Sequence, residues 1–100
     1  MFSHIMLGTN NLDAAKKFYD ALLGTLGAKP GMLDTYRLFW RHDGGTFSMT
    51  KPINGEPATV GNGTTIGFAC ASIEQANAAH AAGIAAGGVT CEDPPGWRGE

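Results

Sequence analysis

The chain contains one pattern twice, at a spacing of 61 residues. When the sequence is aligned with itself at that spacing, without a gap, residues 4–7 fall on residues 65–68, residues 12–15 on residues 73–76, and Gly27 on Gly88. Asn11 falls on Ser72, and both are residue types whose side chains cap the starts of helices. Agreement by residue class over about 24 positions indicates an internal duplication. We therefore predict two copies of one module made of a strand, a helix and a hairpin.

The first module begins with a strand at residues 2–8. Side chains alternate along a strand, so His4 and Met6 share one face while Ile5 and Leu7 share the other. We expect the apolar pair to support the following helix. The opposite face would then carry His4 and Met6, and Thr65 and Gly67 of the second module are expected beside them in a paired cleft.

A helix follows, with Asn10-Asn11 at its start and Gly27 at its end. Its apolar residues recur at helical spacing and form one stripe: Leu12, Ala15, Tyr19, Leu22, Leu23 and Leu26. Lys16 and Asp20 are four residues apart, and we expect an exposed ion pair on the solvated side. Residues 28–33 are predicted to be a loop.

Alternating aromatic and apolar residues predict a hairpin with strands at residues 35–41 and 46–50, joined by the turn residues 42–45. Trp40 is predicted to share one face of its strand with Leu38. Arg37 and Arg41 occupy the other face, where they form either a solvated rim or a contact with an anionic ligand. Trp40 and Phe47 are candidate aromatic walls of the cleft.

Residues 51–62 contain many turn-forming residues and are predicted to link the two modules. The second module then begins with a predicted strand at residues 64–70. Ser72 and Gln75 form a capping-box pattern that starts a helix extending to about Ala86. Its predicted buried stripe consists of Ile73, Ala76, Ala79, Gly83 and Ile84.

One hundred residues are enough for one small domain. We expect residues 1–100 to form it, with module one at residues 1–62 and module two at residues 63–100. At the 61-residue spacing, the counterpart of the first hairpin falls at residues 97–111, so the second module is expected to lack its last hairpin. Two explanations stay open: the chain is a fragment of a longer product, or another chain completes the sheet.

The composition argues against several classes of function. The net charge is −2, and no basic run is interleaved with aromatic residues, so nothing suggests binding to nucleic acid or to an anionic membrane. There is no apolar stretch of membrane-spanning length and no signal-peptide pattern, so we expect a cytoplasmic protein. Cys70 and Cys91 lack metal-site spacing and are expected to be reduced thiols.

Several stretches resemble a known family: residues 2–12 (FSHIMLGTNNL), 15–20 (AKKFYD), 57–64 (PATVGNGT) and 94–98 (PPGWR). They are similar to the glyoxalase I, bleomycin-resistance and extradiol-dioxygenase superfamily, also called the vicinal oxygen chelate superfamily. The resemblance implies an α+β fold in which paired βαβββ modules form a curved mixed sheet around a cleft. It does not imply one activity, because the superfamily contains lyases, dioxygenases, epimerases and antibiotic-binding proteins.

The resemblance also implies where a divalent metal would bind, because metal enzymes of the superfamily take ligands from the first and last strand of each module. The first ligand maps to His4. Its counterpart in the second module is Thr65, a neutral hydroxyl and a poor ligand. Residues 47–50, where an acid is expected, contain no carboxylate. The family-typical metal is therefore not supported by this ligand set.

Three hypotheses follow. In the first, the protein binds a small organic molecule without a metal, in a cleft lined by His4, Met6, Trp40, Phe47, Thr65 and Gly67. In the second, it is a metal-dependent lyase, isomerase or dioxygenase whose remaining ligands come from beyond residue 100 or from a partner chain. In the third, it is a dimerising fold without catalytic chemistry. A homodimer is expected because an open sheet edge favours association.

Overall fold

A computed structural model describes residues 1–90. The elements in chain order are β1 (His4–Gly8), α1 (Leu12–Gly24), β2 (Met32–Asp34), β3 (Arg37–His42), β4 (Gly45–Thr50) and α2 (Ile73–Ala85). The four strands form one sheet in the order β1-β4-β3-β2. β1 is parallel to β4, whereas β2, β3 and β4 are antiparallel neighbours. The predicted α+β class with a mixed sheet is confirmed.

The strand register divides the side chains between two faces of the sheet. Phe47 of β4 pairs with Ile5 of β1 on one side and with Trp40 of β3 on the other. These residues face α1; together with Leu7, Leu38 and Met49 they form the helix-side face. The alternate residues form the opposite surface, here called the open face: His4, Met6, Arg37, Phe39, Arg41, Thr46, Ser48 and Thr50.

The two helices repeat at the spacing found in the sequence. α2 begins 61 residues after α1 begins, and it ends 61 residues after α1 ends. The predicted caps are confirmed: Asn11 Oδ1 accepts from the backbone N–H of Ala14 at 3.0 Å, and Ser72 Oγ accepts from that of Gln75 at 3.0 Å. The same module start is therefore built twice from the same local chemistry.

The apolar stripe of α1 packs on the helix-side face as predicted, with Ala15 and Leu23 buried. α2 packs against α1 rather than against the sheet. Its predicted buried stripe was partly wrong, because Ile73 and Ile84 are exposed while Ala79 and Gly83 are buried. Gly83 lies against Phe18 and Leu22 of α1. A helix that approaches another helix buries its small residues, whereas contact with a sheet would have covered the two isoleucines.

Two secondary-structure predictions were wrong. Met32 and Leu33, expected in the loop at residues 28–33, belong with Asp34 to the edge strand β2, which pairs with β3. Residues 64–70, expected to be a strand, join no ladder among residues 1–90. Ile66 and Phe68 are nevertheless half-buried against the core, while Thr65 and Gly67 are exposed. The segment keeps the alternation of a strand, but residues 1–90 contain no neighbouring strand to supply its hydrogen bonds.

No helix within residues 1–90 is both long enough and apolar enough to cross a membrane.

Candidate functional site

A cavity of about 520 Å³ lies between the helix-side face of the sheet and the segment at residues 66–71. It is bounded by the start of β1, the last turn of α1 with the loop that follows it, and the turn between β3 and β4. Its lining includes four of the six residues predicted for the ligand site: His4, Trp40, Phe47 and Gly67. The volume is within the range of about 300–1,000 Å³ typical of small-molecule sites.

Aromatic rings form the inner wall of this cavity. Phe47 packs tilted on Tyr19 with ring centroids 4.7 Å apart, and edge-to-face on Phe68 at 5.1 Å. Trp40 lies 5.9 Å from Phe47 and 5.6 Å from Tyr19. Such offset and edge contacts are the favoured geometries for aromatic pairs. Tyr19 packs on these rings without lining the cavity, and burial raises the pKa of its hydroxyl.

Asp20 fixes the position of the buried indole. Its Oδ1 accepts from Trp40 Nε1 at 2.9 Å and from the backbone N–H of Gly31 at 2.7 Å, while Oδ2 pairs with Lys16 Nζ at 2.6 Å. The prediction of a solvated Asp20 was therefore wrong, since its side chain is 26% exposed. Burial by itself raises the pKa of Asp20. The hydrogen bonds from Gly31, Lys16 and Trp40, together with the charge of Lys16, outweigh the effect of burial. The pKa of Asp20 therefore lies below its usual value. Sequence periodicity placed Asp20 on the solvated side of α1, and it carried no signal for the bond across to β3.

Other polar groups at the cavity were missed from the sequence. His42 is exposed at the hairpin turn, and it also lines the cavity with Asp43, to which its Nε2 is 3.3 Å distant. Gln75 also lines the cavity, and its Nε2 donates to the backbone oxygen of Thr25 at 3.2 Å. The capping-box pattern predicted a role for Gln75 at the start of α2. It could not show that the same side chain also ties α2 to the end of α1.

His4 is exposed at the start of β1, where its Nδ1 hydrogen-bonds Ser3 Oγ at 2.8 Å. Its neighbours in the strand register are Thr46 of β4 and, beyond it, Arg41 of β3, neither of which is a good metal ligand. Within residues 1–90, no three His, Cys, Asp or Glu side chains are grouped so as to hold a metal ion. The donor set of this part of the chain does not fit the divalent metal that the superfamily resemblance implies.

The structure does not bring all six predicted residues together. The assumption that Trp40 and Phe47 share a face with Met6 was wrong, because the strand register puts them on the helix-side face and Met6 on the open face. Thr65 is exposed and does not line the cavity. His4 reaches the cavity because it stands at the very start of β1, at the end of the sheet.

The comparisons with known proteins add one finding to this geometry. No protein-family model matches the chain, and no curated protein matches it either. A crystal structure described as that of a glyoxalase/bleomycin resistance protein from Albidiferax ferrireducens T118 matches with a TM-score of 0.95 and 63% sequence identity. The match covers 98% of this chain and 79% of that chain.

The order of elements, strand-helix-strand-strand-strand followed by a second helix, defines the class as α+β proteins built on a βαβββ module. With that identity and coverage, the chain belongs to the glyoxalase/bleomycin resistance family.

Proposed function

We propose that the protein binds a small organic molecule in the cavity between the helix-side face and residues 66–71, without a complete metal site. The observation that carries the proposal is the convergence of Trp40, Phe47, His4 and Gly67 on one cavity of about 520 Å³. The aromatic wall suits a planar or amphipathic molecule, and His4, Gln75 and the His42–Asp43 pair offer polar contacts at its margin.

Trp40 provides a direct readout of binding. It lines the cavity but is 2% exposed, so its emission responds to a ligand against the wall more than to solvent quenchers. The second tryptophan, Trp97, lies outside the described residues and is replaced by phenylalanine in the test protein. A panel of small aromatic compounds is titrated into this variant without added metal. Saturable changes in Trp40 emission by at least one compound are expected.

A matched pair of variants locates the binding. Ala28 lines the cavity and is half-buried, so Ala28→Leu puts three extra carbon atoms where the ligand would lie. Ala14→Leu makes the same change at an exposed position of α1. Weaker binding in Ala28→Leu alone supports the proposal. Equal affinities in both variants, or no saturable response to any compound, would contradict it.

The competing metal-dependent lyase, isomerase or dioxygenase is tested separately. The protein is loaded with zinc, nickel or manganese and desalted, and the metal bound per chain is measured. We expect far less than one equivalent, because His4 is the single family ligand placed by the resemblance. Retention near one equivalent that is lost in His4→Ala would favour the enzyme.

The partner we propose besides the ligand is a second copy of the chain, joined at the edge of β1 that no strand within residues 1–90 covers. Ser3 and Thr9 bond to β4 through a backbone oxygen and a backbone N–H. By the alternation of a strand, the backbone groups of His4, Met6 and Gly8 therefore point away from the sheet. β1 contains no lysine and no proline, residues that commonly block pairing at an edge. Two such edges can pair to extend both sheets.

A further inference from the structure

Two Asn-Gly pairs lie between β4 and α2, Asn54-Gly55 and Asn62-Gly63, and both asparagines are exposed. An asparagine followed by glycine can lose its side-chain nitrogen as ammonia without a catalyst. Glycine favours this reaction because it has no side chain to hinder attack by its backbone nitrogen. The attacking residue is the same in both pairs, so a large difference between their rates in the folded protein must come from the structure.

Asn54 is restrained by hydrogen bonds at both reacting groups. Its Oδ1 accepts from the backbone N–H of Glu56 at 3.0 Å, and the backbone N–H of Gly55 donates to the backbone oxygen of Pro52 at 3.1 Å. For the reaction, the Gly55 nitrogen must give up its proton and approach the side-chain carbon Cγ of Asn54. Both bonds oppose that movement, because each must first be broken.

Asn62 lacks these restraints. Within residues 1–90, neither its side chain nor the backbone N–H of Gly63 has a hydrogen-bond partner. Gly61 and Gly63 flank it, both with positive φ, and a Cβ built at Gly63 would meet no atom within 4 Å. The open space and the conformational freedom of the two glycines let the backbone rotate into the geometry of attack. The fold therefore leaves Asn62 the more reactive of the two asparagines.

We propose that Asn62 is a site of spontaneous deamidation and that the turn around Asn54 protects that residue from the same reaction. The Gly63 nitrogen forms a bond to Cγ of Asn62, and the side-chain nitrogen leaves as ammonia with the proton that the Gly63 nitrogen gives up. Water then opens the resulting succinimide at either carbonyl, which yields aspartate or β-linked isoaspartate. The reaction is a hydrolysis, and water is its co-reactant.

The modified turn leads into a wall of the cavity. Residues 66–71 bound the cavity and join no ladder within residues 1–90. Either product adds a negative charge shortly before Ile66, and isoaspartate also lengthens the backbone there by one carbon. The Asn62 side chain is exposed, so the reaction alters the approach to the cavity wall without unfolding the protein.

The test compares the two asparagines within one molecule. The full chain is incubated in mildly alkaline buffer, with and without guanidinium chloride, and tandem mass spectrometry assigns the mass gain of deamidation to each asparagine. In the folded protein Asn62 should react about tenfold faster than Asn54, a ratio that equals about 1.36 kcal/mol of activation free energy and matches one or two hydrogen bonds. In denaturant the rates should agree within about twofold, because the bonds around Asn54 are lost.

Equal rates in the folded protein, or a ratio that persists in denaturant, would overturn the proposal. Isoaspartate is expected among the products at position 62, whereas aspartate alone would indicate direct hydrolysis of the side chain and refute the succinimide route. Asn62→Asp reproduces the added charge and should unfold at the same urea concentration as the wild type. A lowered urea midpoint would show that the Asn62 side chain is held in the fold, contrary to the proposal.

Discussion

The bond network of Asp20 predicts a large loss of stability when the carboxylate is removed. In Asp20→Ala, Trp40 Nε1 and the backbone N–H of Gly31 lose their shared acceptor, and both residues are buried. An unpaired buried donor costs about 1–3 kcal/mol. Water can reach part of the site because Asp20 is 26% exposed, so we take the lower half of that range for each donor. The expected decrease in unfolding free energy is about 2–4 kcal/mol.

Urea unfolding monitored by circular dichroism measures this loss, and two controls separate its causes. Lys16→Ala removes the partly exposed ion pair alone and should cost no more than about 0.5 kcal/mol. Asp20→Asn keeps an oxygen that can accept from Trp40 and Gly31, so it should cost about 1 kcal/mol. A loss in Asp20→Ala no larger than that in Lys16→Ala would refute the structural role of the bonds to Trp40 and Gly31.

The pH dependence provides a second check with a definite sign. The pKa of Asp20 in the folded protein is lowered from an unfolded value of about 3.9. The charged carboxylate therefore stabilises the fold at every pH above that unfolded value, and its contribution is lost as the pH falls through the folded-state pKa. The stability difference between wild type and Asp20→Asn should be constant from neutral pH to about pH 5 and should shrink below about pH 4. A difference that does not change down to about pH 3 would contradict the lowered pKa.

Two other regions give sharp predictions. A Cβ at Gly31 would lie 2.5 Å from Cε2 of buried Trp40, so Gly31→Ala should destabilise by about 1–3 kcal/mol. A Cβ at Gly24 meets no atom within 4 Å, so Gly24→Ala should stabilise α1 by about 0.5–1 kcal/mol. Equal urea midpoints for the two variants would contradict the close contact between Gly31 and Trp40. At the edge of β1, Met6→Pro removes an outward N–H but no bond to β4, so it should convert a dimer to a monomer in analytical ultracentrifugation. A wild-type protein that is already monomeric at micromolar concentration would exclude this interface.

The parts of the fold that were predictable are those determined by local chemistry. Asn11 and Ser72 mark helix starts because their side chains bond to backbone groups three residues away, and no tertiary contact is needed. The turn between β3 and β4 has positive φ at Asp43 and Gly44, the backbone conformation of two-residue hairpin turns that such a pair favours. Signals of this kind lie within a few residues, so the sequence displays them directly.

The failures concern structure that depends on a distant partner. Residues 64–70 resemble β1 in sequence, but β1 is a strand because β4 lies beside it, and the later segment has no such neighbour among the described residues. β2 shows the opposite case. Residues 32–34 are all exposed and lack a strong strand pattern, yet they pair because β3 presents its edge to them. Strand formation in this chain is decided by the availability of a ladder partner.

The candidate sites show the same limit in their chemistry. Alternation correctly put Trp40 and Arg37 on opposite faces of β3, but the choice of which face is a cleft depends on where α1 and residues 66–71 lie. Ser48 carried no sequence signal at all, because a serine in an alternating strand is ordinary. In the folded protein Met6 and Phe39 flank it, and its hydroxyl is buried with no hydrogen-bond partner among the described residues. The sequence could therefore supply the aromatic side chains of the proposed cavity, but the buried position of Ser48 emerges from the packing of three strands together.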